Sequence, residues 1–154
     1  MTNKFLLLIF LLFLVQSAIA QDNAKVSAAL KEFNNDTAEY INQRILSRKS
    51  IYIGKSLDSL LKDLPMILRY ANGDAHRNRF ISPDISLYFS SSKRVMDKLA
   101  LKQFPQLIVI TWATPLDNRE FEPRGLRFWG GDWTPAAYNY YKDKIIGDIE
   151  VVKY

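Results

Sequence analysis

The sequence predicts an α+β fold, with an N-terminal helix or helix pair packed on a mostly antiparallel sheet of about 4–6 strands. Three observations carry this expectation. Apolar residues recur at steps of three and four over 22–50, and the period shifts toward two after Pro65. The run QLIVITWA at 106–113 is apolar and rich in β-branched residues, as a central strand requires. Helices come first, and strands mixed with short helices follow, so segregated layers are favoured over alternating βαβ units.

Val26, Leu30, Phe33, Thr37, Ile41 and Ile45 form one helical stripe. Asn34-Asn35-Asp36 interrupts it, and Asp36 with Glu39 three residues on has the form of a capping box. One bent helix and two short ones both satisfy the pattern. Ile51-Tyr52-Ile53 is a short β-prone run. Ser56 then stands as N-cap to a helix with Leu57, Leu60, Leu61 and Leu64 on one face, ended by Pro65, which disfavours α geometry at Leu64.

Residues 66–70 read as a strand, and Asn72-Gly73 supplies the positive φ angles of a tight turn. Strands at 79–81 and 85–90 are separated by Ser82-Pro83-Asp84, which reads as a turn or bulge. Ser91 or Ser92 caps a helix bearing Val95, Met96 and Leu99. Residues 116–125 contain Pro123 and read as an exposed loop, and 126–129 pair again before Gly130-Gly131. Thr134-Pro135 offers an N-cap followed by proline at the first helical position, for a helix through about residue 144. Residues 145–154 close the chain as a strand.

The first 20 residues have the form of a signal peptide. Lys4 gives a basic start, 5–15 are apolar, and Ser17-Ala18-Ile19-Ala20 places small residues at a cleavage site after Ala20. The apolar run is shorter than the roughly 20 residues that span a bilayer. We therefore expect export to the periplasm or beyond, and one globular α+β domain over 21–154 with no transmembrane segment. This remainder keeps all 16 Asp and Glu and, with Lys4 removed, 20 of the 21 Lys and Arg, a net charge of about +4 with His76 neutral. The excess is spread without a basic stripe, which argues against a nucleic-acid partner. The chain has no cysteine, which excludes disulfides, a thiol nucleophile and thiolate metal ligands. No cofactor is expected, and the composition suits a bacterial envelope protein.

Several motifs fall short of the chemistry they suggest. Gly54-Lys55-Ser56 has the ending of a phosphate-binding loop, but Lys49 stands where the pattern needs its first glycine. His76 is the only histidine; Asp74 two residues away would share its face on a strand, yet no G-x-S-x-G nucleophile turn occurs. Asp117, Glu120, Glu122 and Asp132 are the acids available for carboxylate catalysis, but Arg119 and Arg124 beside them favour ion pairs. The same loop lacks the D-x-[DN]-x-[DN]-G calcium pattern. Asp36-Thr37-Ala38 and Asp58-Ser59-Leu60 fit a D-[ST]-aliphatic O-glycosylation pattern that some bacteria use outside the cytoplasm. Asn35-Asp36-Thr37 is an N-glycosylation sequon in a eukaryotic host.

The richest segment is 119–141, which holds Phe121, Phe128, Trp129, Trp133, Tyr138, Tyr140 and Tyr141 with Arg119, Arg124 and Arg127. Rigid rings and guanidinium forks are what recognition surfaces use. Trp129, Trp133 and Tyr138 are the expected stacking residues, Arg124 and Arg127 the expected anion holders. The competing expectation is that these rings close the core over a sheet edge. The sequence thus points first to a non-catalytic exported binding module for a glycan or an envelope protein. A hydrolase using Asp132 or Glu122 with His76, and a purely structural envelope component, are the alternatives.

Overall fold

A computed structural model describes residues 31–33, 36–64, 66–73, 80–120 and 130–152. They fall into two compact units, Met1–Thr37 and Ala38–Tyr154. In the first, the Asp36 amide donates to Phe33 O at 2.7 Å, a turn where the sequence breaks the helical stripe.

The second unit has an α+β architecture, with four α-helices and five strands among the described residues. Helix α1 (Thr37–Tyr40) runs on as a π turn, Ile41–Ile45, and a 3-10 stretch, Leu46–Ile51. Ile41 and Ile45 of the predicted stripe are buried on it, with Tyr40 beside them, whereas Val26 and Leu30 lie outside the described residues. Its bend falls at Arg48, which leaves helical geometry at φ −116° and ψ 16°. The β-prone residues 51–53 do not join the sheet. Ile51 ends the 3-10 stretch, and the Tyr52 amide closes a turn on Lys49 O at 2.9 Å, which lets the Tyr52 ring bury.

Helix α2 (Leu57–Asp63) buries Leu57 and Leu60, and Leu64 is extended at ψ 124° before the proline, as expected. Two phenols tie the α1 run to α2: Tyr52 O–H donates to Asp63 Oδ2 at 2.8 Å, and Tyr40 O–H to Asp63 O at 3.1 Å.

The strands are β1 (Tyr70–Gly73), β2 (Ile81–Tyr88), β3 (Leu107–Asp117), β4 (Gly131–Asp132) and β5 (Ile146–Val151). They form one antiparallel sheet in the order β4-β1-β2-β3-β5, with β3 flanked on both sides, as its apolar sequence implied. Side-chain alternation gives two different faces. Ile85, Leu87, Ile108, Ile110, Trp112 and Ile149 lie on one and are buried. Helix α4 (Pro135–Tyr141) covers this face through Tyr141, whose ring stacks on Trp112. The opposite face carries Tyr70, Tyr88, Leu107 and Val109, on which helix α3 (Ser92–Ala100) sets Val95.

Further local expectations are corrected: of the predicted strand 66–70, only Tyr70 lies in β1. Asn72-Gly73 is not the turn but the end of β1, paired with Ser86 and Ile85, because the ladder of the buried strand β2 outweighs local turn preference. The predicted loop from 116 begins later, since Leu116 is buried in β3 opposite Ser82. Helix α4 ends at Tyr141 instead of near 144, because Lys144 and Ile145 turn to bond α2 and β3. Ser82-Pro83-Asp84 is a bulge: the pairs Ser82–Leu116 and Asp84–Thr111 leave Pro83 facing four residues of β3. Pro83 and Pro115 both fall in this unpaired stretch, where a missing N–H costs the ladder nothing.

Candidate functional site

Strand β4 positions Trp133 at the sheet margin, where its amide donates to Arg69 O at 3.0 Å. Its ring stacks on Tyr141 at 6.0 Å between centroids and 16° between planes, and Tyr141 stacks on Trp112 at 5.8 Å and 5°. Tyr140 meets Tyr141 edge-on at 4.8 Å, and Lys144 Nζ lies 4.6 Å from the Tyr140 ring centre. Both geometries are favourable for ring quadrupoles. Burial drives the Tyr141 phenol well above its ordinary pKa. The result is a three-ring column that starts in the core at Trp112 and ends at the half-buried Trp133.

Tyr138 lies on α4 below a well-formed cap, in which Thr134 Oγ1 accepts from the Ala137 amide at 3.2 Å. Its hydroxyl donates to Asp58 Oδ1 at 2.6 Å, and Lys62 Nζ holds Asp58 Oδ2 at 2.6 Å. Lys62 first, then Tyr138, keeps the Asp58 carboxyl below its usual pKa, while the bond to Asp58 raises the Tyr138 phenol. Tyr138 thus joins α4 to α2.

Of the residues the sequence nominates for binding, Trp133 stacks on Tyr141 of α4, and Tyr138, three positions earlier on α4, turns its hydroxyl to Asp58 of α2. Trp129, Arg124 and Arg127 lie outside the described residues, as do Asp74, His76 and Glu122. Asp132 is exposed on β4. Gly130 answers an internal need: at φ +98°, a Cβ there would lie 2.5 Å from the Tyr70 hydroxyl and 3.0 Å from Ala71 O. Ser59 is half-buried, its Oγ 3.3 Å from Ser56 Oγ, and Thr37 is half-exposed.

The loop at Gly54-Lys55-Ser56 has its backbone engaged along the outer edge of β5. Gly54 N–H donates to Ile146 O at 2.8 Å, Ile146 N–H to Lys55 O, Leu57 N–H to Lys144 O and Asp58 N–H to Lys142 O, each at 2.9 Å. Amides that a phosphate-binding loop would turn toward its ligand are here bonded to carbonyls.

Sequence reasoning missed a cleft of about 480 Å³ at the far side of the β2–β3 bulge, lined by Phe80, Ile81, Pro115, Leu116, Asp117 and Arg119. The Asn118 amide donates to Phe80 O at 2.9 Å, joining the two chain segments that line it. Arg119 grips Asp117 through Nε (2.9 and 3.0 Å), Nη2 (2.5 Å) and its own amide (3.0 Å). These bonds hold the Asp117 carboxyl down to about 2. The available signal was the pair of prolines, Pro83 and Pro115, bracketing a break in the ladder.

Fold and surface together define an α+β domain with a five-stranded antiparallel sheet, an aromatic column at one margin and an apolar cleft beside a bulge. No family model, curated protein or solved structure matches the chain.

Proposed function

We propose that this chain is a non-catalytic binding domain that works outside the cytoplasm after removal of residues 1–20, with a glycan as its ligand. The observation that carries the reading is the column Trp112–Tyr141–Trp133. It holds the Trp133 ring from the core outward, and Trp133 is a half-buried residue at the sheet margin. An aromatic face held this way presents rigid contact area at little entropic cost, which suits stacking against the C–H face of a sugar. Arg124 and Arg127 are the proposed partners for anionic sugar groups.

Three of the described carboxylates are poorly suited to general-acid chemistry. Asp58, Asp117 and Asp148 are each tied to a cation and held below the ordinary range, the reverse of what proton donation near neutral pH needs. A second reading, an envelope protein as partner, draws on the outward side of α3 and the turn after it. Met96, Leu99, Leu101 and Phe104 are all exposed there.

A thermal-shift screen against oligosaccharides, cell-wall fragments and divalent cations tests the choice. A glycan that binds the native state raises the melting temperature with its saturation. The shift is expected to vanish in Trp133→Ala and to shrink in Trp133→Phe, which keeps the column. A flat response to every glycan rejects the glycan reading and leaves the protein partner.

A further inference from the structure

We propose that the cleft beside the β2–β3 bulge binds an apolar carboxylate, an aliphatic or aromatic acid whose carboxylate meets the outer edge of the Arg119 guanidinium. This site is distinct from the Trp133 column and does not depend on it. Its volume, about 480 Å³, suits a small molecule, since such sites run from roughly 300 to 1,000 Å³. Phe80 and Ile81 form an apolar wall, 44% and 42% exposed, with Pro115 and Leu116 beside them. An apolar ligand covering that wall removes hydrocarbon from water, the main source of affinity in such clefts.

The polar end of the ligand follows from the hydrogen-bond inventory. Asp117 already accepts three N–H groups of Arg119, so a cationic ligand would gain little there. A guanidinium has two edges that each fit a carboxylate. Nε and Nη2 of Arg119 hold Asp117, whereas Nη1 has no partner among the described residues. The grip on Asp117 also orders an otherwise mobile side chain that is 73% exposed, so less entropy is lost when the second edge is filled. Arg119 and the apolar wall line the same cleft, and an acid with a hydrocarbon body satisfies both.

Titrating the 15N-labelled protein with sodium decanoate, below its micelle concentration, tests the inference, with decanol as the uncharged comparison. Amide shifts are expected at Phe80, Ile81, Leu116 and Arg119, with decanol binding at least about tenfold more weakly. Arg119→Gln is expected to weaken decanoate to the level of decanol, and Ile81→Asp to abolish both, each variant checked for an unchanged amide spectrum elsewhere. Shifts confined to other residues, or equal decanoate affinity in Arg119→Gln, overturn the proposal. Equal binding of decanol and decanoate to the parent protein overturns the carboxylate assignment.

Discussion

The Tyr138 hydroxyl bonds Asp58 Oδ1 at 2.6 Å and joins α4 to α2 across 80 residues of chain. Together with the Tyr52 and Tyr40 bonds to Asp63, it links the α1 run, α2 and α4. Replacing Tyr138 with Phe leaves Asp58 with Lys62 alone. We predict that the Asp58 carboxyl then titrates higher, though still below its ordinary value, and that Lys62→Met raises it further, because Lys62 is the larger influence. A depressed carboxylate stabilises the fold fully above its unfolded pKa of about 3.9, and that contribution fades as pH falls below it. The acid limb of the stability curve should therefore flatten in Tyr138→Phe. A 13C carboxyl titration with acid unfolding checks both statements.

At alkaline pH the sign reverses. Burial, then the bond to Asp63, pushes the Tyr52 phenol up to about 12, so the fold holds its neutral form. Stability should be complete below the unfolded tyrosine pKa of about 10 and decline as pH rises toward 12. Absorbance at 295 nm in the native protein should show an inflection near 12 whose amplitude falls by one tyrosine in Tyr52→Phe.

Gly147 marks the bulge between β3 and β5. A Cβ there would meet Ala113 N and Trp112 C, both at 2.9 Å, and these are backbone atoms of the central strand that cannot swing aside. Gly147→Ala is expected to cost about 1–3 kcal/mol, the range for overpacking a closed site. Gly130→Ala should cost at least as much, since it adds a positive φ to the contact with Tyr70. Urea unfolding of both variants measures this.

Helix α3 ends in a Schellman motif, with Gln103 N–H on Lys98 O at 2.8 Å and Lys102 N–H on Leu99 O at 3.0 Å. The left-handed position is occupied by Lys102, at φ 56°. Lys102→Gly should relieve that strain and stabilise the protein by about 0.5–1 kcal/mol, a gain that the same unfolding assay resolves.

The elements legible in the sequence are those whose local pattern and burial agree. The stripe ending in Ile41 and Ile45, the leucines of α2, the stop at Pro65, the Thr134 cap and strand β3 all follow from period and punctuation. Elements set by long-range pairing were not legible. Asn72-Gly73 reads as a turn in isolation and becomes strand only because Ser86 and Ile85 lie opposite. The cleft was hidden for the same reason, since its lining joins Phe80 and Ile81 to residues 115–119 across the β2–β3 pairing. Trp133 was visible as an aromatic in a rich segment. That its ring completes a column through Tyr141 to Trp112 needed the packing of α4 on the sheet.

The most direct test of glycan binding through Trp133 is a tryptophan indole 1H–15N titration with the glycan that gives the largest thermal shift. The protein has three tryptophans, Trp112, Trp129 and Trp133. We predict a saturable shift of the Trp133 indole resonance, assigned with Trp133→Phe, while the buried Trp112 resonance stays in place. A Trp133 resonance that does not move when the glycan saturates the protein would contradict it.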